Sequence, residues 1–438
     1  MTERHRGRGI GLDLEPLKTL PYRWLWSGFM VSFFGSQITV VAVKLQVYRQ
    51  TGSSAMVGAI AAAEIVPLIL LSVVGGAVAD AFDRRKVLWF CDSAQLVCSS
   101  ILALNAFQPH PQLWVVYLLA ALMMGLSSIA APARWSISPR LLPERLYPAS
   151  AALESVGWNM GALAGPPLGG LLVVTLGLPT TYLIQLATVV FSLFSLLRLG
   201  AIPPGASAPS PSWRAIADGF RYLKGRHVLQ GTYLIDFNAM IFGMPAALFP
   251  AIATARYGEG TVGLLMAAPA VGALLGTATS GWTGRIHRHG RAIVIAVAVW
   301  GAAIAVFGFA KPLWLALVML AVAGWADLVS VVFRKTIWAA EIEEEFRGRL
   351  NGIAWANVRG GVLLGDIEAG TMASLTSTTF SVVSGGLLCV AGAGVLALLL
   401  PGFVRYDARR RRSAAMPSGT PQPEAVDAHA KPDVQPRL

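Results

Sequence analysis

Gly161-Ala-Leu-Ala-Gly165-Pro166-Pro167-Leu-Gly169-Gly170 stands inside a long apolar stretch, and 200 residues later Gly361-Val-Leu-Leu-Gly365-Asp366-Ile-Glu368-Ala-Gly370 repeats its glycine spacing more faintly. Glycines four residues apart fall on one face of a helix. In lipid, such a small-residue face lets a neighbouring backbone come close. A very hydrophobic chain that repeats itself at about half its own length is most simply a transporter built from two similar halves.

The bulk numbers agree. Of 438 residues, 55% are hydrophobic and 13% charged, against about 25% charged in a soluble domain. Lipid is the natural solvent for such a chain. The net charge of +12 sits in short clusters between apolar runs, without the basic helix or aromatic–basic pattern of a nucleic-acid binder. Three scattered cysteines, Cys91, Cys98 and Cys389, give no disulfide framework. The mixed polar start of the chain is not a cleavable signal peptide.

A bilayer crossing needs about 20 apolar residues. Twelve stretches qualify: 24–47, 55–79, 87–107, 113–134, 148–174, 180–201, 228–255, 261–283, 292–310, 313–334, 350–372 and 379–403. The expected organisation is a cytoplasmic segment 1–23, a six-helix bundle 24–202, and a linker 203–227. A second six-helix bundle, 228–404, and a disordered tail, 405–438, follow. The linker opens with prolines and continues with the amphipathic piece from Trp213 to Lys224. An even span count puts both ends on one side. That side carries 30 of the 35 Lys and Arg, leaving Arg49, Arg256 and Lys311 opposite and Lys44 and Arg359 inside spans. The positive-inside rule makes it the cytoplasm. Arg outnumbers Lys four to one among abundant Ala and Gly, which suggests a GC-rich bacterial genome, and the expected location is the bacterial plasma membrane.

A third run, Gly76-Ala-Val-Ala-Asp80-Ala-Phe-Asp83-Arg84-Arg85, ends the second span, and Gly281 with Arg285, Arg288 and Arg291 ends the eighth. Arg134 closes the fourth span and Arg334 the tenth.

Gly76 to Arg85 resembles the cytoplasmic loop motif of the major facilitator superfamily, and Gly161 to Gly170 resembles, position for position, the fifth-helix motif of its proton-coupled exporters. Phe242-Gly-Met-Pro245 through Pro250, Leu364 to Gly370, and Phe380 to Gly386 are similar to the branch that holds enterobactin-type siderophore exporters and macrolide efflux proteins. The resemblance covers residues from about 20 to 405. It implies an all-α polytopic membrane protein with the major facilitator fold: twelve transmembrane helices in two six-helix bundles. It also implies that Gly161, Gly165, Pro166, Gly169 and Gly170 form a packing face with a hinge. Asp80, with Gly76, Arg84 and Arg85, becomes a latch onto the start of the eleventh span near Arg347 and Arg349. Two positions depart from the pattern. Ala81 replaces a cation, and Asp83 replaces a turn glycine, a substitution that keeps the turn if Asp takes the left-handed geometry it tolerates. The fourth span has no embedded Arg before Arg134.

Ionisable residues inside spans cost about 2.5–3.5 kcal/mol each on insertion scales and point to a pathway. They are Glu64, Glu154, Asp236, Asp327, Arg359, Asp366 and Glu368, with Asn238 near Asp236. Asp236 is expected to stand alone and carry the coupling proton, with Glu64 as its rival. Arg359 is expected to pair with Asp327 or Asp366. Glu368 is expected to snorkel outward, and Asp92 to be merely interfacial. Trp158, Trp325, Trp338 and Trp355 are available to stack on an aromatic substrate.

The expected activity is secondary-active export of a small organic molecule from the cytoplasm by proton antiport. A siderophore is the first substrate and a drug or macrolide the second. A nutrient importer and a non-transporting scaffold are the remaining alternatives. No His, Cys or Ser cluster has catalytic spacing, so no enzyme, cofactor or metal is expected. Without a Gly-x-x-x-x-Gly-Lys-Ser/Thr run, no nucleotide is expected either. The expected partners are substrate, protons and the lipid bilayer around a monomer.

Overall fold

The computed structural model describes residues 13–200, 202 and 213–409. The proline-rich start of the linker and the tail from residue 410 lie outside the described residues. Among the described residues there is no strand. The first half runs α1 Leu20–Thr51, α2 Ser54–Ala81, α3 Arg84–Ala106, α4 Leu113–Trp135, α5 Tyr147–Thr175 and α6 Gly177–Leu197. The amphipathic linker helix is α7 Trp213–Leu223. The second half runs α8 His227–Phe242, α9 Val262–Ala278, α10 His289–Phe309, α11 Leu313–Glu341, α12 Glu344–Leu375 and α13 Thr378–Leu399.

Helices are the form this chain takes in lipid because each spanning segment must satisfy its own backbone groups. The turns are written in single residues. Gly52 ends α1 at φ 63°, a left-handed position that costs glycine nothing. Ser53 then caps α2 by accepting from the Met56 N–H, as a serine N-cap should. Ten of the twelve long helices are apolar enough to cross a membrane by length and composition. The two that fall short are α5 and α12, whose glycines, prolines and ionisable residues lower the mean hydropathy. They are the two helices that carry the repeated glycine row.

The seventh span is not one straight helix. After Phe242 the chain passes Gly243 and Pro245, then a 3-10 turn at Ala246–Leu248, a helical turn at Phe249–Ile252 and a π turn at Ala253–Tyr257. Pro245 removes a donor and blocks the regular ladder. The freed groups find side chains: the Trp300 indole donates to the Gly243 carbonyl at 2.8 Å, and the Ala247 N–H donates to Asp366 at 2.7 Å. The expected 261–283 helix likewise stops at Ala278 and continues as a 3-10 segment, Ser280–Arg285.

Within the first half α1 packs on α5 and α6, α2 on α4, and α3 on α4 and α6. The second half repeats this with α8 on α12, α9 on α11, and α10 on α11 and α13. Two helix pairs join the halves, α2 with α12 and α5 with α9. Large apolar side chains such as Phe90, Phe309, Leu398 and Leu399 stay exposed, a surface that suits lipid rather than water.

Candidate functional site

The glycine row does two jobs, and the helix period assigns them. A Cβ at Gly161 would lie 2.5 Å from the Phe33 ring, and one at Gly165 2.5 Å from Gln37 Cβ. One at Gly169 would lie 2.9 Å from the Ile38 carbonyl oxygen. This face therefore lets α1 close on α5. Gly170, about 100° further round, turns to the other half, where its Cβ would meet Gly263 of α9 at 2.9 Å. Gly263 in turn lies against the Pro166 carbonyl. In α12, Gly361 and Gly365 admit Met240 and the Ile241 carbonyl of α8, while Gly370 faces Ser54 and Gly58 of α2. The two halves thus use the same glycines for the same partners.

They differ at several other positions, Ala369 standing where the first half has Gly169, and one of the differences changes the chemistry. Where the first half has Pro166, the second has Asp366. Its carboxylate accepts from Lys44 Nζ of α1 at 2.7 Å and from the Ala247 N–H at the break after α8. The two side chains are only 12% and 6% exposed. Further out, Arg49 at the end of α1 makes a two-pronged ion pair with Glu259, one prong measuring 2.8 Å. Lys44–Asp366, Arg49–Glu259, Gly58–Gly370 and Gly170–Gly263 all lie toward the ends of the spans remote from both chain termini. The halves are closed against each other there.

Behind this closure lies a mixed cluster of charges and aromatics from both halves. Phe33 stacks on Trp158 at 4.2 Å, and Trp158 meets Trp355 edge-on at 6.3 Å. The Arg359 guanidinium sits 5.0 Å over Trp355 and 5.9 Å over Trp158. Glu64 is within electrostatic reach of Arg359, Lys44 and Asp366. The expected partner of Arg359 is therefore corrected. Asp366 is taken by Lys44, Asp327 turns to Arg334, and Glu64 is the carboxylate that acts on Arg359. Asp366 shares the helix face of Arg359 but lies about two turns further along it, where the Lys44 amine holds it.

The second cluster lies within the later half. Asp236 does not stand alone. It pairs with Arg334 of α11 and accepts from Asn357 Nδ2 of α12 at 3.0 Å. Arg334 also faces Asp327, Nη2 to Oδ1 3.7 Å. Arg334 does not end its helix. The helix runs on to Glu341, which leaves the guanidinium two turns inside and buried, and a buried cation needs an anion. The first half has a simpler counterpart. Asp92 is buried, accepts from Ser192 Oγ at 2.7 Å and faces Arg134 at 3.6 Å, so it is not merely interfacial. Sequence reasoning placed Arg334, Lys44 and Asp92 but gave them no partners, and it missed Asn357. The available signal was the 200-residue spacing of Arg134 and Arg334, together with the rule that an embedded carboxylate seeks a cation.

Other expected residues fall elsewhere. Asn238 donates to the Cys389 carbonyl at 2.9 Å and binds α8 to α13, away from Asp236. Glu154 accepts from Ser138 at 2.6 Å, near the end of α5 on the side of the termini. Glu368 is half-buried. Trp338 stacks on Tyr233 and donates to Thr232, and Trp325 stacks on Trp282, so both serve packing. At the loop motif, Asp83 is extended, not left-handed (φ −57°, ψ 120°), and caps α3 by accepting from the Arg85 and Lys86 N–H groups. An N-cap requires that geometry. Arg85 donates to the Leu196 and Leu197 carbonyls, completing the end of α6, and Arg349 lies over Phe346. Arg84 is buried at the start of α3. The side chain of Asp80, and Gly76 beyond its helical backbone, lie outside the described residues.

Two six-helix bundles, broken helices and ionisable side chains between the bundles define a polytopic secondary transporter. Residues 12–429 match the family described as transmembrane secretion effector, and the chain belongs to that family. It is 29% identical over 415 residues to the enterobactin exporter EntS of Citrobacter koseri, covering 94% of this chain and 98% of that protein. The same exporter from Escherichia coli K12 is 29% identical over 400 residues, covering 90% and 95%. Among solved structures, a nucleoside transporter, NupG, superposes with a TM-score of 0.69 at 15% identity, covering 88% of this chain and 98% of that one. A POT family transporter in complex with 5-aminolevulinic acid gives 0.68 at 11% identity, covering 87% and 96%. These likenesses carry the major facilitator fold. The chain is a multi-pass membrane transporter homologous to exporters.

Proposed function

We propose that this chain exports a small, amphipathic organic molecule from the cytoplasm by proton antiport, with a siderophore of the enterobactin kind as its first substrate. The observation that carries the reading is the charged and aromatic cluster of Glu64, Arg359, Trp158 and Trp355. It draws on both bundles and lies behind the closure that the described residues make at the end remote from the termini. With the Lys- and Arg-rich side in the cytoplasm, both termini and the linker are cytoplasmic, and the closed end faces out. The described state is then inward-facing, ready to load from the cytoplasm, and the bundles 24–202 and 228–404 rock about the cluster. The protein works as a monomer in a bacterial inner membrane, and transport rather than catalysis is its activity.

The antiport reading leaves the proton to the embedded carboxylates. Inverted membrane vesicles carrying the protein and acidified inside should accumulate enterobactin, and an uncoupler should abolish this. Accumulation to the same level with no proton gradient would overturn proton coupling. A drug or macrolide is the second substrate, to be tested in the same vesicles.

A further inference from the structure

Arg334 stands between two carboxylates in different surroundings. Asp236 is clamped: its side chain is 2% exposed, one oxygen meets Arg334, and the other accepts from Asn357. Asp327 is looser. Its nearest approach to Arg334 is 3.7 Å, beyond a hydrogen bond, and 30% of its side chain is open. Seven residues apart on one helix, Asp327 and Arg334 share a face to within about 20°. Arg334 reaches Asp236 of α8, which is held by Asn357 of α12, so that face is turned inward. Asp327 therefore stands on the inward face of α11 beside Arg334, with part of its side chain open.

One guanidinium therefore serves two carboxylates, and the triad carries a net negative charge when both are ionised. A net charge away from bulk water is costly, and a proton on the carboxylate that water reaches removes it. The charged groups acting on Asp327 are Arg334 of its own helix and Asp236 of α8. Helix α9, packed alongside, carries no titratable residue, and α10 carries only His289 and Arg291 in its first turn.

We propose that Asp327 carries the coupling proton and that Arg334 is the positioning residue that passes its charge state to α8 and α12. This rests on the antiport reading given above. A proton from water binds an Asp327 oxygen, the carboxylate becomes a neutral acid, and Arg334 is left to Asp236 alone. On release the proton returns to water and the guanidinium is again shared. Only one O–H bond forms and breaks. Asp236 keeps its Asn357 hydrogen bond throughout, while its contact with Arg334 tightens and loosens with the charge on Asp327. The proton site thus moves from Asp236, where the sequence pointed, to its neighbour on α11.

The test does not need the substrate. The purified full chain in liposomes is exchanged between acidic and alkaline buffer while its infrared difference spectrum is recorded. The wild type should show a protonated-carboxyl stretch that Asp327→Asn removes. Asp236→Asn and Arg334→Lys should retain it, and Arg334→Gln should change the pH at which it appears. Coincident spectra for wild type and Asp327→Asn would overturn the assignment, as would loss of the band in Asp236→Asn alone. If Asp236→Asn does not fold, the wild type against Asp327→Asn decides by itself. In vesicles, Asp327→Asn should keep enterobactin exchange and lose uncoupler-sensitive accumulation. Failure of the wild type to respond to a proton gradient would sink the antiport reading while the infrared result still decides the site.

Discussion

Replacing Asp366 by Asn should open the closure at the ends of the spans remote from the termini. The Lys44–Asp366 pair is nearly buried, with a 2.7 Å contact and side chains 12% and 6% exposed. Removing one partner of a buried ion pair costs about 3–5 kcal/mol. The amide oxygen of the substituted side chain can still accept from Ala247, and the Lys44 amine can move toward water, so the low end applies. About 3 kcal/mol at about 1.4 kcal/mol per tenfold is roughly a 100-fold shift of the closed-to-open ratio. The neighbouring Arg49–Glu259 pair is 35% and 27% exposed. An exposed pair contributes about 0–1 kcal/mol, so Arg49→Gln should shift the same ratio by about fivefold at most. The assay is the distance between spin labels at Gln50→Cys on α1 and Ser374→Cys on α12, both exposed near the closed ends. Cys91, Cys98 and Cys389 are buried and free and are replaced first. Asp366→Asn should move the distribution to longer distances, and Arg49→Gln should leave it nearly unchanged. An unmoved distribution in Asp366→Asn, or a larger movement in Arg49→Gln, would refute the assignment of closure to the buried pair.

Gly165→Leu should insert normally and stop transport, because its Cβ alone would come within 2.5 Å of Gln37 and overpacking costs about 1–3 kcal/mol; normal vesicle transport would remove the close-packing role from this face. Gly263→Ala should disfavour the closed end by pushing on the Pro166 carbonyl, seen as longer distances with the same label pair. Reporter fusions at Pro204 and Ser413 should behave as cytoplasmic, and an external signal from either would break the twelve-span topology. The Glu343 carboxyl is held below its ordinary value because Arg226 donates to it. That contact is therefore complete above the ordinary carboxylate range and is lost as pH falls through the depressed value. A spin label at Lys224 should become more mobile on acidification in that window, and a Glu343→Gln protein should show no such step.

The architecture was legible in the sequence because lipid imposes it. Span lengths, the 6+6 count and the two glycine rows follow from local periodicity, which needs no partner to be read. Even the two uses of the glycine row are a matter of 100° per residue once the partners are known. The break after Phe242 was present as Gly243 and Pro245, yet the apolar run through it read as one helix, because hydropathy does not register a missing donor.

The charges are where reading the chain stopped. Their positions were found, but their partners were not, since Lys44 and Asp366 are 322 residues apart and no local pattern joins them. Asp236 was expected to stand alone because Arg334 was taken for the end of a span, when its helix continues to Glu341. Asp83 was read as a turn residue and is a helix cap, since the motif fixes a bend but not its dihedral angles. The sequence by itself determined that this chain spans a membrane twelve times in two related halves. Only the tertiary structure decided which charges meet and which end of the bundles is shut. Ion pairing depends on helix phase and on the approach of distant segments, and a side chain's neighbours across an interface are not written in its neighbours along the chain.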